Sequence, residues 1–200
     1  MQPLNQMKFD IESRGLKISQ HDWGSFGEIV NEVNYRKGEC IFDMDETESP
    51  MLFVAAGIAS ANMLSDTGRV FIYRFFEQGH LCTRISSAWL NSGHDDTIEC
   101  VTDLSGVLIP FDYWKKEYLQ GNGLGEYFRQ KCLEALLFAK DVIRIKTLSQ
   151  TRVAYEFLAN EHKTVVQQAP QKTIAKFIGI TPEAMNRFLR GYRKLANDKN

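Results

Sequence analysis

The sequence lacks any run of about eighteen apolar residues, so no membrane-spanning helix is expected. The first twenty residues, MQPLNQMKFDIESRGLKISQ, have no apolar centre of the kind a secretory leader needs, which makes the cytoplasm the expected compartment. Cysteine is scarce. Cys40, Cys82, Cys100 and Cys132 stand far apart with no C-x-x-C pair, so neither a zinc site nor a disulfide framework is signalled, and the four read as small buried apolar groups. A Ser/His/Asp set, a phosphate loop and an H-E-x-x-H pattern are all missing, so no enzyme, metal or cofactor is expected. Internal repeats and low-complexity stretches are missing too.

What is present suits a globular protein. With 200 residues, of which 44% are hydrophobic and 12% aromatic, the chain can bury a sizeable core, divided more naturally into one medium domain and one small one than kept as a single unit. Its net charge of -1 conceals an asymmetry. From Lys172 onward seven basic residues face Glu183 and Asp198, a net of +5, so residues 1–171 carry -6. A basic tail on an acidic body suits a protein whose end meets a polyanion while its bulk does not.

The pattern along the chain predicts a strand-rich body, a long helix and a helical tail. Ser19 starts a short amphipathic helix reaching Val33, with Trp23, Phe26, Ile29 and Val30 inward. Strands are expected within Gly38–Met44, Met51–Leu64, Val70–Phe76, Leu81–Ser86 and Thr97–Phe111, which are rich in Val, Ile and Phe. Turn signals at Asp66-Thr-Gly, Gln78-Gly and Ser92-Gly punctuate them, a rhythm that argues for a small β-sandwich or jelly roll. Gly121-Asn-Gly123 then opens a run from Leu124 to Leu148 long enough for about seven helical turns. In that run Cys132, Leu136, Ala139 and Ile143 step by four, three and four, as in a coiled-coil seam. Leu133, Leu137 and Val142 form a second apolar flank, so the helix is expected to have two partners, its own β-body and the same helix of a second subunit.

The strongest local signal is KTIAKFIGITPEAMNRFLRGYRK, residues 172–194. Ile174, Phe177 and Ile178 share one face, Ala175 is small, and Gly179-Ile-Thr-Pro182 ends one helix and starts another. Thr181 can cap, Pro182 fits the first helical position, and Glu183 suits the positive end of the dipole. In the second helix Ala184, Met185, Phe188, Leu189 and Tyr192 form the buried stripe and leave Glu183, Asn186, Arg187, Arg190 and Lys194 outward. A helix, a glycine turn and a helix with a basic outer face can place polar side chains on phosphates and base edges, and the partner expected is double-stranded DNA. A helical hairpin with a merely solvated charged face is the plainer alternative.

IAKFIGITPEAMNRFLR resembles the helix-turn-helix of the Crp/Fnr superfamily. TRVAYEFLANEHKTVVQQAP resembles the connecting helix of a short branch of that family, and KGECIF, FEQGHLC and LIPFDYW fall where its β-roll segments would. The resemblance implies an α+β fold: a cyclic-nucleotide-binding-domain-like β-roll or jelly roll over 1–121, a dimerisation helix over 122–148 and a helix-turn-helix domain over 149–200. It implies a homodimeric transcription regulator in which Glu183 and Arg187 face bases while Thr181, Asn186 and Arg190 make phosphate or flanking contacts. The wing hairpin that usually follows the recognition helix has no counterpart in GYRKLANDKN.

The family's cyclic-nucleotide binders use a G-E segment for the ribose and a later R-S or R-T pair for the phosphate. Here Thr83-Arg84 stands at the first place and Asp96-Thr97 at the second, so both charges are reversed. Cyclic AMP is therefore not the expected ligand; Arg84, Asp96 and Thr97 mark either the pocket of another small effector or, through an Arg84–Asp96 pair, a purely structural contact. An Fnr-type iron–sulfur sensor would need clustered cysteines near the start, and none precedes Cys40. The rival reading is a cupin-like metal- or small-molecule-binding protein, with His80, Cys82, His94 and Asp95 converging and a tail that does not read DNA.

Overall fold

The computed structural model describes residues 1–43, 50–66, 68–83, 96–120, 123–148 and 150–197. Two helices lead into a β-body. The first, α1 (Pro3–Ser13), has Pro at its start and fully buries only Met7 and Ile11. The second, α2 (Gln20–Ile29), begins where Ser19 accepts a hydrogen bond from the Asp22 amide at 3.0 Å. It ends earlier than expected: Phe26 and Val30 are buried, Ile29 is exposed, and the residues after Val30 form a strand instead.

Eight strands among the described residues make two four-stranded sheets. They are β1 (Asn31–Tyr35), β2 (Cys40–Phe42), β3 (Met51–Ala56), β4 (Ala59–Leu64), β5 (Val70–Phe76), β6 (Leu81–Cys82), β7 (Asp96–Cys100) and β8 (Leu104–Ile109). One sheet runs β1-β8-β3-β6 and the other β2-β7-β4-β5, with the pairings given by the register antiparallel throughout. The inner faces meet in a core of Ile41, Phe42, Leu52, Val54, Ala59, Ala61, Phe76, Ile98 and Leu104. This is the expected jelly roll. The single apolar stretch from Met51 to Leu64 is two strands because Gly57 turns at φ 92°, and a Cβ there would lie 2.2 Å from the Asp103 carbonyl oxygen. Thr97–Phe111 likewise divides into β7 and β8.

A β-bulge in β5 sets the phase of that strand. Ala61 faces Arg74 while Asn62 faces Ile72, leaving Tyr73 as the extra residue. Ile72 and Phe75 then point to the helical part of the molecule, and Phe76 joins the core between the sheets.

The remaining helices are α3 (Phe111–Gln120), α4 (Gly123–Leu148), α5 (Thr151–Glu161), α6 (Lys163–Gln168), α7 (Gln171–Ile178) and α8 (Pro182–Asn197). The long α4 follows the predicted run closely. Leu124, Tyr127 and Phe128 bury with α1, α2 and the first sheet, whereas Val142 packs with Ile72 and Phe75 of β5 and with the C-terminal helices. Met44, the end of the Leu81–Ser86 stretch, the Ser92-Gly turn and Gly121-Asn122 lie outside the described residues, as does Thr67. No helix of the described residues is long and apolar enough to cross a membrane.

Candidate nucleic-acid interface

The pair α7 and α8 is built by local chemistry. The first helix ends at Gly179, whose φ of 88° is left-handed, and the amides of Gly179 and Ile180 donate to the Ala175 carbonyl at 2.9 and 3.0 Å. Thr181 then starts α8: its hydroxyl accepts from the Ala184 amide at 3.2 Å and its carbonyl from the Met185 amide at 2.9 Å. Ile174, Ala175, Phe177, Met185 and Leu189 are buried together, and Ala175 is wholly enclosed, as a close helix crossing requires. Phe188 and Tyr192 extend the inner stripe onto Tyr155 of α5, with ring centres 5.3 and 5.2 Å away.

The outer face holds every residue assigned to DNA from the sequence. Thr181, Pro182, Glu183, Asn186, Arg187, Arg190 and Lys194 are all exposed. The carboxyl of Glu183 is held below its usual range first by its own backbone amide, then by the Thr181 hydroxyl, which fixes negative charge at the positive end of the helix. Arg187 follows one turn later on the same face.

The other predicted sites fare differently. Among the residues marked for an effector, Arg84 lies outside the described residues, as do His94 and Asp95. Asp96 and Thr97 stand on β7, and Asp96 accepts a hydrogen bond from the Tyr73 hydroxyl. His80 accepts the Glu77 amide at 3.2 Å, Cys82 is buried between the sheets, and no cluster of His, Cys, Asp and Glu among the described residues could hold a metal ion.

On α4, Leu136, Ala139 and Ile143 are exposed while Cys132 is half-buried. Leu133 and Leu137, expected against the β-body, are exposed at 57% and 50%; of that second flank only Val142 is buried. The side of the middle turns that meets the body carries Lys131 and Phe138 instead, which leaves Leu133 and Leu137 facing away from it.

Sequence reasoning missed a cationic cavity of about 60 Å³ between β5 and α4, lined by Arg74, Phe75, His80, Leu81, Lys131, Glu134, Phe138 and His162. Two ion networks border it. Lys131 reaches Asp10 at 3.1 Å and Glu134 at 3.4 Å, and Arg14 holds Glu134 and Asp10. His162, between α5 and α6, meets Glu77 at 2.5 Å. Burial, reinforced by Arg74, pushes His80 down to about 4, so it is neutral at physiological pH.

No family model and no curated protein matches the sequence. Solved structures do match the fold. FixK2 from Bradyrhizobium japonicum superposes with a TM-score of 0.66 at 19% identity, covering 84% of this chain and 86% of that one. A protein from Eubacterium rectale assigned to the Crp/Fnr family of transcriptional regulators gives 0.65 at 18% identity, covering 88% and 84%. A cyclic nucleotide-binding domain containing protein from Listeria monocytogenes gives 0.68 at 12% identity, covering 93% and 89%. The architecture is that of the Crp/Fnr regulators. In this Crp/Fnr-like fold the β-roll precedes the long helix and the C-terminal helices follow it, in the order the sequence implied.

Proposed function

We propose that this chain is a sequence-specific DNA-binding transcription regulator of the Crp/Fnr type, working as a homodimer. Its β-roll (1–121) serves as a sensor with a pocket unlike that of the cyclic-nucleotide binders, 122–148 pairs two subunits, and 149–200 reads DNA. The observation that carries the reading is the outer face of α8, where Glu183, Asn186, Arg187, Arg190 and Lys194 stand exposed on a helix whose start is rigidly capped. Such a helix enters the major groove with its first turns at the base edges and its later turns near the backbone. The compartment proposed is the cytoplasm.

Arg187, one turn into α8, can offer its planar fork to both acceptors of a guanine. Arg187→Ala should therefore lose affinity and sequence discrimination together, by about 1 to 3 kcal/mol or roughly 5- to 150-fold. Lys194→Ala should weaken all sequences alike and reduce the salt slope by about one unit. Selection of bound genomic fragments, then binding assays at two salt concentrations, reads both effects. If the wild type enriches no sequence, or Arg187→Ala keeps full discrimination, α8 does not read bases.

A further inference from the structure

Arg74 is a half-buried cation to which no carboxylate is bonded among the described residues. Its guanidinium lies 4.7 Å from the centre of the Phe76 ring and 5.5 Å from that of Phe138, at the wall of the cavity between β5 and α4. No hydrogen bond or ion pair reaches it among the described residues, although most of its neighbours are paired. Glu134 is taken by Arg14 and Lys131, Asp10 by Lys131, Arg14 and the Tyr127 hydroxyl, and Glu77 by His162. Burial works against the charge of Arg74, while the faces of the two rings and the nearby carboxylate of Glu134 favour it. An anion beside this half-buried guanidinium would offset the cost of its partial loss of water.

We infer that Arg74, with the cavity it faces beside Phe138, Lys131 and His80, is a receptor for a small monocarboxylate effector. The space, about 60 Å³, equals roughly two water molecules and admits a carboxylate carrying one or two carbons. A planar anion fits a planar fork in two parallel hydrogen bonds, and the flanking rings favour a flat ligand. A phosphate dianion is bulkier, and Glu134 in the lining repels its second charge.

This deepens the reading of the β-roll as a sensor and rests on it for any consequence at DNA. The same strand carries both ends of a connection. Two residues before Arg74, the Ile72 carbonyl accepts from Lys146 at 3.1 Å, and the same ammonium donates to the Phe177 carbonyl of α7 at 2.6 Å.

Saturation-transfer NMR with sodium acetate, on the full chain without DNA and at ionic strength fixed with sodium chloride, tests the site apart from the regulator reading. Wild type should give a saturable signal in the millimolar range. Arg74→Met, which keeps the stem, should weaken it at least about tenfold while melting at or above the wild-type temperature, because it removes a half-buried charge with no bonded partner among the described residues. Arg74→Lys keeps charge without the fork and should bind acetate weakly with the fold intact. Absence of saturable binding to wild type, binding undiminished in Arg74→Met, or competition by chloride alone overturns the assignment. A clear fall in melting temperature for Arg74→Met in the absence of acetate would make the arginine a structural contact and overturn it equally. Failure of the DNA selection above would leave an acetate result standing.

Discussion

The middle of α4 gives the sharpest test of assembly. Leu133, Leu136, Leu137 and Ile143 are exposed at 57%, 67%, 50% and 66%, an apolar stripe that a free monomer would leave in water. Fully burying such a side chain is worth about 1.5–3 kcal/mol, so covering one that is two-thirds exposed gains about 1–2 kcal/mol. A two-fold axis counts every position twice. Leu136→Asp should therefore remove about 2–4 kcal/mol from the dimer before the cost of stripping water from two carboxylates, and raise the dissociation constant about 30- to 700-fold. Because Leu136 is exposed in the isolated subunit, the variant should keep its secondary structure, and circular dichroism provides that control. Cys132, half-buried beside the body, should matter less: Cys132→Ser should shift the equilibrium far less than Leu136→Asp. Sedimentation equilibrium over a micromolar concentration series reads both. A wild-type monomer throughout that range, or a Leu136→Asp protein that dimerises like wild type, would refute the reasoning.

Two further outcomes follow from the packing. Phe177 is 1% exposed and its ring sits 5.3 Å from that of Phe75, joining α7 to β5; Phe177→Ala should cost about 3–5 kcal/mol in chemical denaturation, and a loss under 1 kcal/mol would mean the two parts barely support each other. Asp10 receives the Tyr127 hydroxyl at 2.8 Å and Lys131 at 3.1 Å. Burial alone would raise its carboxyl, but Lys131, Tyr127 and Arg14 outweigh it and hold the group below its ordinary range. A depressed folded value means stability present above the unfolded value and lost as pH falls through the folded one. Asp10→Asn should therefore lower stability at neutral pH by about 1–3 kcal/mol and hardly at all in strong acid, measured by urea unfolding at several pH values; equal losses at both ends would contradict the assignment.

Features governed by near neighbours were legible in the sequence, and features assembled across the chain were not. Ser19 and Thr181 act as caps because a hydroxyl and an amide three residues on are all the chemistry requires, and Val70–Phe76 coincides with β5. The strand Asn31–Tyr35 was lost in the tail of a helix because its sequence, NEVNY, is mostly polar, with only Val33 and Tyr35 turned toward the core. The helix Phe111–Gln120 hid behind an aromatic-rich stretch that reads equally well as strand. On α4 the heptad steps picked out Leu136, Ala139 and Ile143, which lie exposed, but not that Leu133 and Leu137 are exposed with them, since that depends on where α1 and β5 lie. The cavity at Arg74 is the extreme case: β5, α4 and the α5–α6 junction each supply part of its lining, from positions as far apart as residues 74 and 162.

The same geometry says how the β-roll and the α7–α8 pair are held in register. A helix ends with carbonyls that lack partners and with the negative pole of its dipole, so cations there are favourable. The end of α7 is met by two cations. Lys146 of α4 donates to the Phe177 carbonyl, and Arg69, just before β5, reaches the Gly179 carbonyl at 3.4 Å. Lys146 also holds the Ile72 carbonyl, so the position of β5 and the end of α7 are fixed through one ammonium group. Because Tyr73 is the bulged residue between Ile72 and Arg74, a pull on Arg74 acts where the strand is already out of regular register, at a place where ladder hydrogen bonds resist least. A change at Arg74 reaches the end of α7 through two residues of β5 and the hydrogen bonds of Lys146, whereas Asp96 and Thr97, on β7, connect to β5 through the Tyr73 hydroxyl and the intervening β4.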